Sequence, residues 1–147
     1  MNKLHVLTNK SELKKERLQD KVVIVLDILI ATTSIVTAMA NGCKQIVPVR
    51  NYDEAISLQN NPDYKNYKFS GEVNADTLSG FIQPTPIALL KSGMDNCHLV
   101  YCTTNGTVAL NDCKTAKQTL VGSLLNAQSI VQHVFSHWQD KTILIVC

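Results

Sequence analysis

The chain has 147 residues, 45% of them hydrophobic and 18% charged, with 14 basic against 12 acidic side chains and a formal charge of +2. That length and apolar share predict one soluble globular domain with a real core, and no repeat or low-complexity segment interrupts it. The Lys and Arg residues are scattered apart from Lys14-Lys-Glu-Arg17, which argues against nucleic acid, and no run approaches the ~20 apolar residues that cross a bilayer, which argues against a membrane.

In chain order, Leu4–Leu7 reads as a short strand, Glu12–Leu18 as a polar helical turn, and Lys21–Asp27 as a continuous apolar strand of the kind buried on both faces of a parallel sheet. Thr32–Asn41 places Ile35, Val36, Met39 and Ala40 at helical spacing and ends at Asn41-Gly42, a helix C-terminal signal. Gln45–Val49 follows as a strand, Tyr52–Gln59 as a helix capped by Asn51, and Asn60-Asn-Pro-Asp63 as a loop. Tyr67–Ser70 reads as a strand leading to Gly71-Glu72. From Val73 to Pro86 the chain is polar and broken by Gly80, Pro84 and Pro86, an irregular stretch of the length that binding loops have.

Beyond it the pattern gives a short helix over Ile87–Ser92, a strand over Leu99–Cys102, a helix over Gly106–Cys113, a strand over Gln118–Val121, a long amphipathic helix over Leu124–Trp138 and a last strand over Lys141–Cys147. This alternation predicts an α/β fold, a three-layer α/β/α sandwich with a largely parallel, mixed sheet. Residues 1–147 are expected to form a single domain. The apolar final strand has nothing after it to cover it, so the chain reads as the N-terminal part of a longer fold, or else as a homo-oligomer that hides an open edge.

Cys43, Cys97, Cys102, Cys113 and Cys147 are odd in number and unpaired in spacing, and residues 1–8 lack a long apolar leader segment. Reduced core thiols and a cytoplasmic location are the expectation. Cys102 ends a strand beside a hydroxyl-rich turn, but no adjacent His activates it, so packing is its expected role.

Two apolar strands close on small hydroxyl-rich turns, Asp27-Ile-Leu-Ile-Ala-Thr-Thr-Ser34 and Thr103-Thr-Asn-Gly-Thr107. At the end of a strand in an α/β protein, hydroxyls, an amide and free backbone N–H groups are where an oxyanion is held. Two such turns in one sheet point to one site. Thr32, Thr33, Ser34, Thr104, Asn105, Gly106 and Thr107 are the candidate oxyanion-binding residues. The alternative for the second turn is ordinary Asn-Gly turn chemistry with helix capping. Asp27 either caps the following helix or is functional, and Glu72 alone in a loop is a solvated turn residue. Ser123 and Asn126 form a Ser-x-x-Asn pair whose default is capping and whose second reading is substrate contact. His133 and His137 stand i, i+4 and could ligate a metal, although a packing or capping role is the commoner outcome for such a pair.

The stretches Val23–Gly42, Gly71-Glu72, Gly80-Phe81, Thr103–Leu110 and Val121–Ala127, in this order and with these gaps, resemble the 2-phosphosulfolactate phosphatase family, the ComB-like α/β proteins of coenzyme M biosynthesis. The resemblance covers the whole chain. It implies an α/β/α sandwich and a Mg²⁺-dependent phosphoric monoester hydrolase acting on a small anionic phosphorylated substrate. Asp27 and Glu72 would then be the catalytic carboxylates that hold Mg²⁺, a cation that prefers carboxylate oxygen and water.

The chain departs from the family pattern where the family typically carries arginine: Ile30, Val73 and Val108 stand there instead. The loop after Gly80-Phe81 reads Ile82-Gln-Pro-Thr-Pro86, where relatives tend to show Asn-Ser-Pro. Arginine recognises phosphate and sulfonate through its planar fork, and aliphatic side chains cannot. The alternative expectation is therefore a catalytically inactive ligand-binding or subunit relative that has lost its anion-binding arginines.

Overall fold

A computed structural model describes residues 3–9 and 12–147; expectations that touch residues 1, 2, 10 and 11 lie outside them. The described chain runs β1 (Leu4–Leu7), β2 (Lys21–Leu26), α1 (Ala31–Ala40), β3 (Gln45–Val49), α2 (Tyr52–Gln59), β4 (Lys68–Val73), β5 (Asp76–Thr77), α3 (Pro86–Lys91), β6 (His98–Cys102), α4 (Gly106–Asp112), β7 (Gln118–Gly122), α5 (Ala127–His137) and β8 (Thr142–Val146), with single 3-10 turns at Lys15–Arg17 and Pro62–Tyr64. These elements form an α/β sandwich of mostly parallel strands, but with two sheets in place of the single one that the sequence predicts, so the hydroxyl-rich turns after β2 and β6 close strands of different sheets.

The strands divide between two four-stranded sheets, ordered β1-β8-β2-β7 and β3-β6-β4-β5. Every pairing is parallel except the antiparallel β4-β5 hairpin, which makes the strand content largely parallel and mixed. Parallel strands cannot be joined by tight turns, so each connection crosses over through a helix or long loop.

The apolar runs explain the layering. In β2, Val23 and Val25 point into a core shared with Leu144 and Val146 of β8, Leu99 and Tyr101 of β6, Ile35 and Ala38 of α1, Leu89 of α3 and Leu110 of α4. Helices α1 and α4 touch strands of both sheets. The alternate residues Val22 and Ile24 face the other way, onto Val134 of α5. Val49, Val100 and Cys102 likewise face Ala55 of α2 and Phe81. Continuous Val/Ile runs therefore reflect burial on both faces, as a covered parallel sheet requires.

Element boundaries follow local chemistry. Asn51 caps α2 by accepting from Glu54 N–H, as its position predicts. Helix α5 starts at Ala127 and not at Leu124, because Ser123–Asn126 is a turn: Asn126 Oδ1 accepts from Ser123 N–H at 2.8 Å and Ser123 Oγ from Leu125 N–H at 3.2 Å. The pair closes the turn before α5, and the Asn126 side chain makes no capping bond to the helix itself.

One expectation is corrected. The last strand is not an open edge: β8 lies between β1 and β2 and pairs with both, its Ile143 covered on one face by Val134 and its Leu144 and Val146 buried in the shared core. The edges of that sheet are β1, with Leu4 and Val6 exposed, and β7. The argument for a second copy covering β8 thus loses its premise.

Candidate active site

The C-terminal ends of β2, β4 and β6 open on one cleft of about 410 Å³. Asp27 comes from the residue after β2, Glu72 from the end of β4, and Thr103, Thr104 and Asn105 from the turn after β6; Leu29, Ile30 and Ala31 form one wall. Asn74, Ala75 and Thr77 of the β4-β5 hairpin and Gln83, Pro84 and Thr85 complete the lining. Ligand sites in parallel α/β proteins form at this end of the strands. A second hollow of about 290 Å³, with Thr8, Asn9, Leu26, Val146 and Cys147 in its lining, shares Asp27 and Asn105 with the first.

Asp27 is half-buried, and burial raises its carboxyl above the usual carboxylate range. Hydrogen bonds from the N–H groups of Gly106, Ile30 and Ala31 oppose that rise, and the charge of Glu72 adds to it. The loop is pinned from below by Thr32, whose Oγ1 accepts from Asp27 N–H at 3.0 Å while Thr32 N–H donates to Asp27 C=O at 2.9 Å. Gly106 is required for this arrangement. A Cβ there would stand 2.4 Å from Ala31 Cβ and 2.7 Å from Asp27 Oδ2.

Glu72 is locked. Its Oε1 accepts from Thr104 N–H at 2.7 Å, and its Oε2 from Thr104 Oγ1 at 2.9 Å and Ala75 N–H at 2.8 Å. Thr104 Oγ1 in turn accepts from Asn74 N–H at 2.8 Å. The hairpin permits this because Asn74 and Ala75 take φ of 53° and 71°, a left-handed pair that turns the backbone N–H toward Glu72. Behind it, Gly71 lets β4 lie against β6: a Cβ would meet Cys102 C=O at 2.7 Å.

Asp27, Glu72, Thr104 and Asn105 thus converge on the cleft, with Gly106 directly behind Asp27. The other expected phosphate ligands are spent inside the fold. Thr33 Oγ1 donates to Ile28 C=O at 2.8 Å and Ser34 Oγ to Pro84 C=O at 3.0 Å. Thr107 Oγ1 donates to Thr103 C=O at 2.9 Å and accepts from Thr103 N–H, while Thr103 Oγ1 accepts from Thr107 N–H at 3.1 Å. Ser123 and Asn126 bind each other, with Asn126 Nδ2 donating to Val121 C=O at 3.0 Å, and do not line the cleft.

His133 and His137 stack at 4.5 Å, and Trp138 Nε1–H donates to His133 Nε2 at 3.4 Å. Among the described residues no three His, Cys, Asp or Glu side chains gather into a metal-holding group. Cys43, Cys102 and Cys113 are buried and Cys97 half-buried, but Cys147 is exposed, which corrects the expectation of core thiols throughout. Burial pushes the Cys102 thiol up to about 11.

Sequence reading missed Asn74, Thr77, Gln83 and Thr85 as individual lining residues. Their signal was the irregular polar stretch as a whole. Ser34 and Tyr101 also enter the site indirectly, since Tyr101 Oη donates to the same Pro84 C=O at 2.9 Å and the two hydroxyls anchor the Gln83–Thr85 rim from within the core.

The two carboxylates fit a divalent cation. Glu72 accepts three hydrogen bonds, which leaves it about one of a carboxylate's roughly four lone-pair sites, and Asp27 faces the N–H groups of Gly106, Ile30 and Ala31. Mg²⁺ is commonly held by one or two carboxylates and otherwise by water and substrate phosphate. A cation between them also offsets the unfavourable Glu72 charge felt by Asp27.

Residues 7–147 match the family model described as 2-phosphosulpholactate phosphatase. The chain is 36% identical over 143 residues to a Clostridium novyi protein named "Probable 2-phosphosulfolactate phosphatase", covering 97% of this chain and 60% of that one. A protein of the same name from Clostridium tetani is 34% identical over 142 residues, covering 96% and 60%. One from Caldanaerobacter subterraneus is 34% identical over 131 residues, covering 88% and 54%. The chain therefore spans about 60% of the length of the first two of these relatives.

Proposed function

The chain belongs to the 2-phosphosulpholactate phosphatase family, and on that premise we propose that its cleft is a Mg²⁺-dependent phosphatase site for a small phosphate ester. The observation that carries this is the convergence of Asp27 and Glu72, from strands of different sheets, on one cleft at the strand C-termini. Relatives named as phosphatases give the reaction class.

In this reading Asp27 and Glu72 hold Mg²⁺. The chemistry that the ion supplies when bound is Lewis-acid polarisation of a phosphoryl oxygen. The chain's own contribution is positional. Thr104, Asn74 and Ala75 fix the Glu72 carboxylate, Gly106 and the N–H groups of Ile30 and Ala31 face that of Asp27, and Asn105 and Gln83 line the cleft beside them.

A second reading, binding without turnover, draws on a specific observation: the hydroxyls of Thr32, Thr33, Ser34 and Thr107 are committed to internal hydrogen bonds. Phosphate release from 2-phosphosulfolactate and a panel of small phosphate monoesters, with and without Mg²⁺, separates the two. Mg²⁺-dependent release that disappears in Asp27→Ala supports the phosphatase. Release indifferent to both Mg²⁺ and Asp27→Ala overturns it, and Mg²⁺ binding without release selects the second reading.

A further inference from the structure

The cleft carries two carboxylates, and among the described residues none that line it is Lys, Arg or His. Charge counting then limits the ligand. Asp27 and Glu72 offset one divalent cation, so a dianionic phosphate already leaves the assembly negative. Any further sulfonate or carboxylate on the ester would meet no cationic side chain among the described lining residues, and an unpaired charge in a partly desolvated site is disfavoured.

The surface beside the carboxylates is suited to something else. Leu29 is 91% exposed and Ile30 43% exposed, both on the cleft wall next to Asp27. Large aliphatic side chains left open at a cleft gain when a ligand's apolar group covers them.

We infer that this cleft selects phosphate esters whose phosphate is their only charged group, with an uncharged, apolar substituent lying against Leu29 and Ile30. The inference rests on the phosphatase reading above for the site and its cation. It narrows the ligand to a class that differs from a sulfonated, carboxylated phosphoester.

Non-hydrolysable phosphonates test it without turnover. With saturating Mg²⁺, calorimetric titration of the 147-residue chain compares propylphosphonate with 3-phosphonopropionate and 2-sulfoethylphosphonate. Propylphosphonate is expected to bind at least tenfold more tightly than either charged analogue, and Ile30→Arg to reverse the order. Leu29→Arg, at the more exposed position, serves the same purpose should the first variant not fold. Equal or tighter binding of the charged analogues by the unmodified chain overturns the inference, as does no binding of any phosphonate. Phosphate release from the matching esters is followed in parallel. Absence of release with the binding order intact defeats the phosphatase reading alone.

Discussion

Replacing Gly106 by Ala tests the packing that positions Asp27. The added Cβ would stand 2.4 Å from Ala31 Cβ, 2.7 Å from Asp27 Oδ2 and 3.3 Å from Asp27 Cβ, so backbone-anchored atoms must shift. Overpacking of this kind costs about 1–3 kcal/mol, and the clash with another Cβ places it in the upper part of that range. Ala is the better helix former by about 1 kcal/mol at most, less at the first position of a helix. The net loss is therefore about 1–2 kcal/mol, a fall of roughly 3–6 °C in Tm for a domain of this size. Thermal unfolding followed by circular dichroism measures it, and a Mg²⁺ titration should show affinity reduced at least tenfold as the carboxylate is displaced. Pairing Gly106→Ala with Ala31→Gly removes the shortest contact and should recover about 1 kcal/mol relative to the sum of the single changes. An unchanged or raised Tm in Gly106→Ala would refute the close approach on which the Asp27 geometry depends.

Asp27 also sets a pH dependence. Its folded carboxyl titrates above the usual range, mainly through burial, so in the cation-free protein its contribution favours folding at low pH. That contribution declines as pH rises from the ordinary carboxylate value through the raised folded one. Asp27→Asn should flatten the decline in a Tm-versus-pH series, and saturating Mg²⁺ should oppose it in the unmodified chain; parallel curves for the two proteins would contradict this. Glu72→Gln replaces an acceptor of three hydrogen bonds by a group with one acceptor oxygen. A loss of about 1–3 kcal/mol is expected in urea unfolding. Tyr101→Phe removes one of two buried donors to Pro84 C=O, and about 0.5–1.5 kcal/mol should be lost with a weakened ligand affinity as the rim loosens. Brief iodoacetamide treatment of the native protein, read by peptide mass spectrometry, should modify Cys147 and spare Cys102, which is buried with its thiol pushed up to about 11.

How much of this was legible depended on the range of the interactions. Helix α2 and its Asn51 cap could be read because the cap chemistry lies within three residues. The buried strand β2 showed as an unbroken apolar run. The hydroxyl turns were legible as special but not as to their purpose, since a Thr that caps its own turn and a Thr that meets a ligand have the same sequence. Thr107 resolves to the first kind, exchanging bonds with Thr103. Glu72 had no local signal at all. Its role arises because β4 pairs with β6 in a register that sets Gly71 beside Cys102 and brings Thr104 over the carboxylate, and strand order is invisible in a single sequence. The left-handed Ala75 was equally silent, because Ala carries none of the cues of Gly or Asn.

The division of strands between two sheets has a consequence for how a ligand acts on the fold. Asp27 leaves the sheet containing β2, Glu72 belongs to the sheet containing β4, and the helices packed between them carry no cation to the cleft. Glu72 is held by Thr104 and Ala75, and breaking those three hydrogen bonds would cost roughly 0.5–1.5 kcal/mol each, while Asp27 faces the N–H groups of Ile30 and Ala31 on its own side and of Gly106, which follows β6 of the other sheet. The like charges of the two carboxylates are therefore felt across the junction between the sheets. A cation that binds both carboxylates relieves their repulsion and ties the two sheets together, stabilising the folded state in proportion to RT ln(1 + [L]/Kd). Single removal of either carboxylate should abolish most of that Mg²⁺-induced rise in Tm, because one remaining carboxylate can neither bridge the sheets nor offset the ion's charge. A rise that survives intact in both Asp27→Asn and Glu72→Gln would place the ion elsewhere.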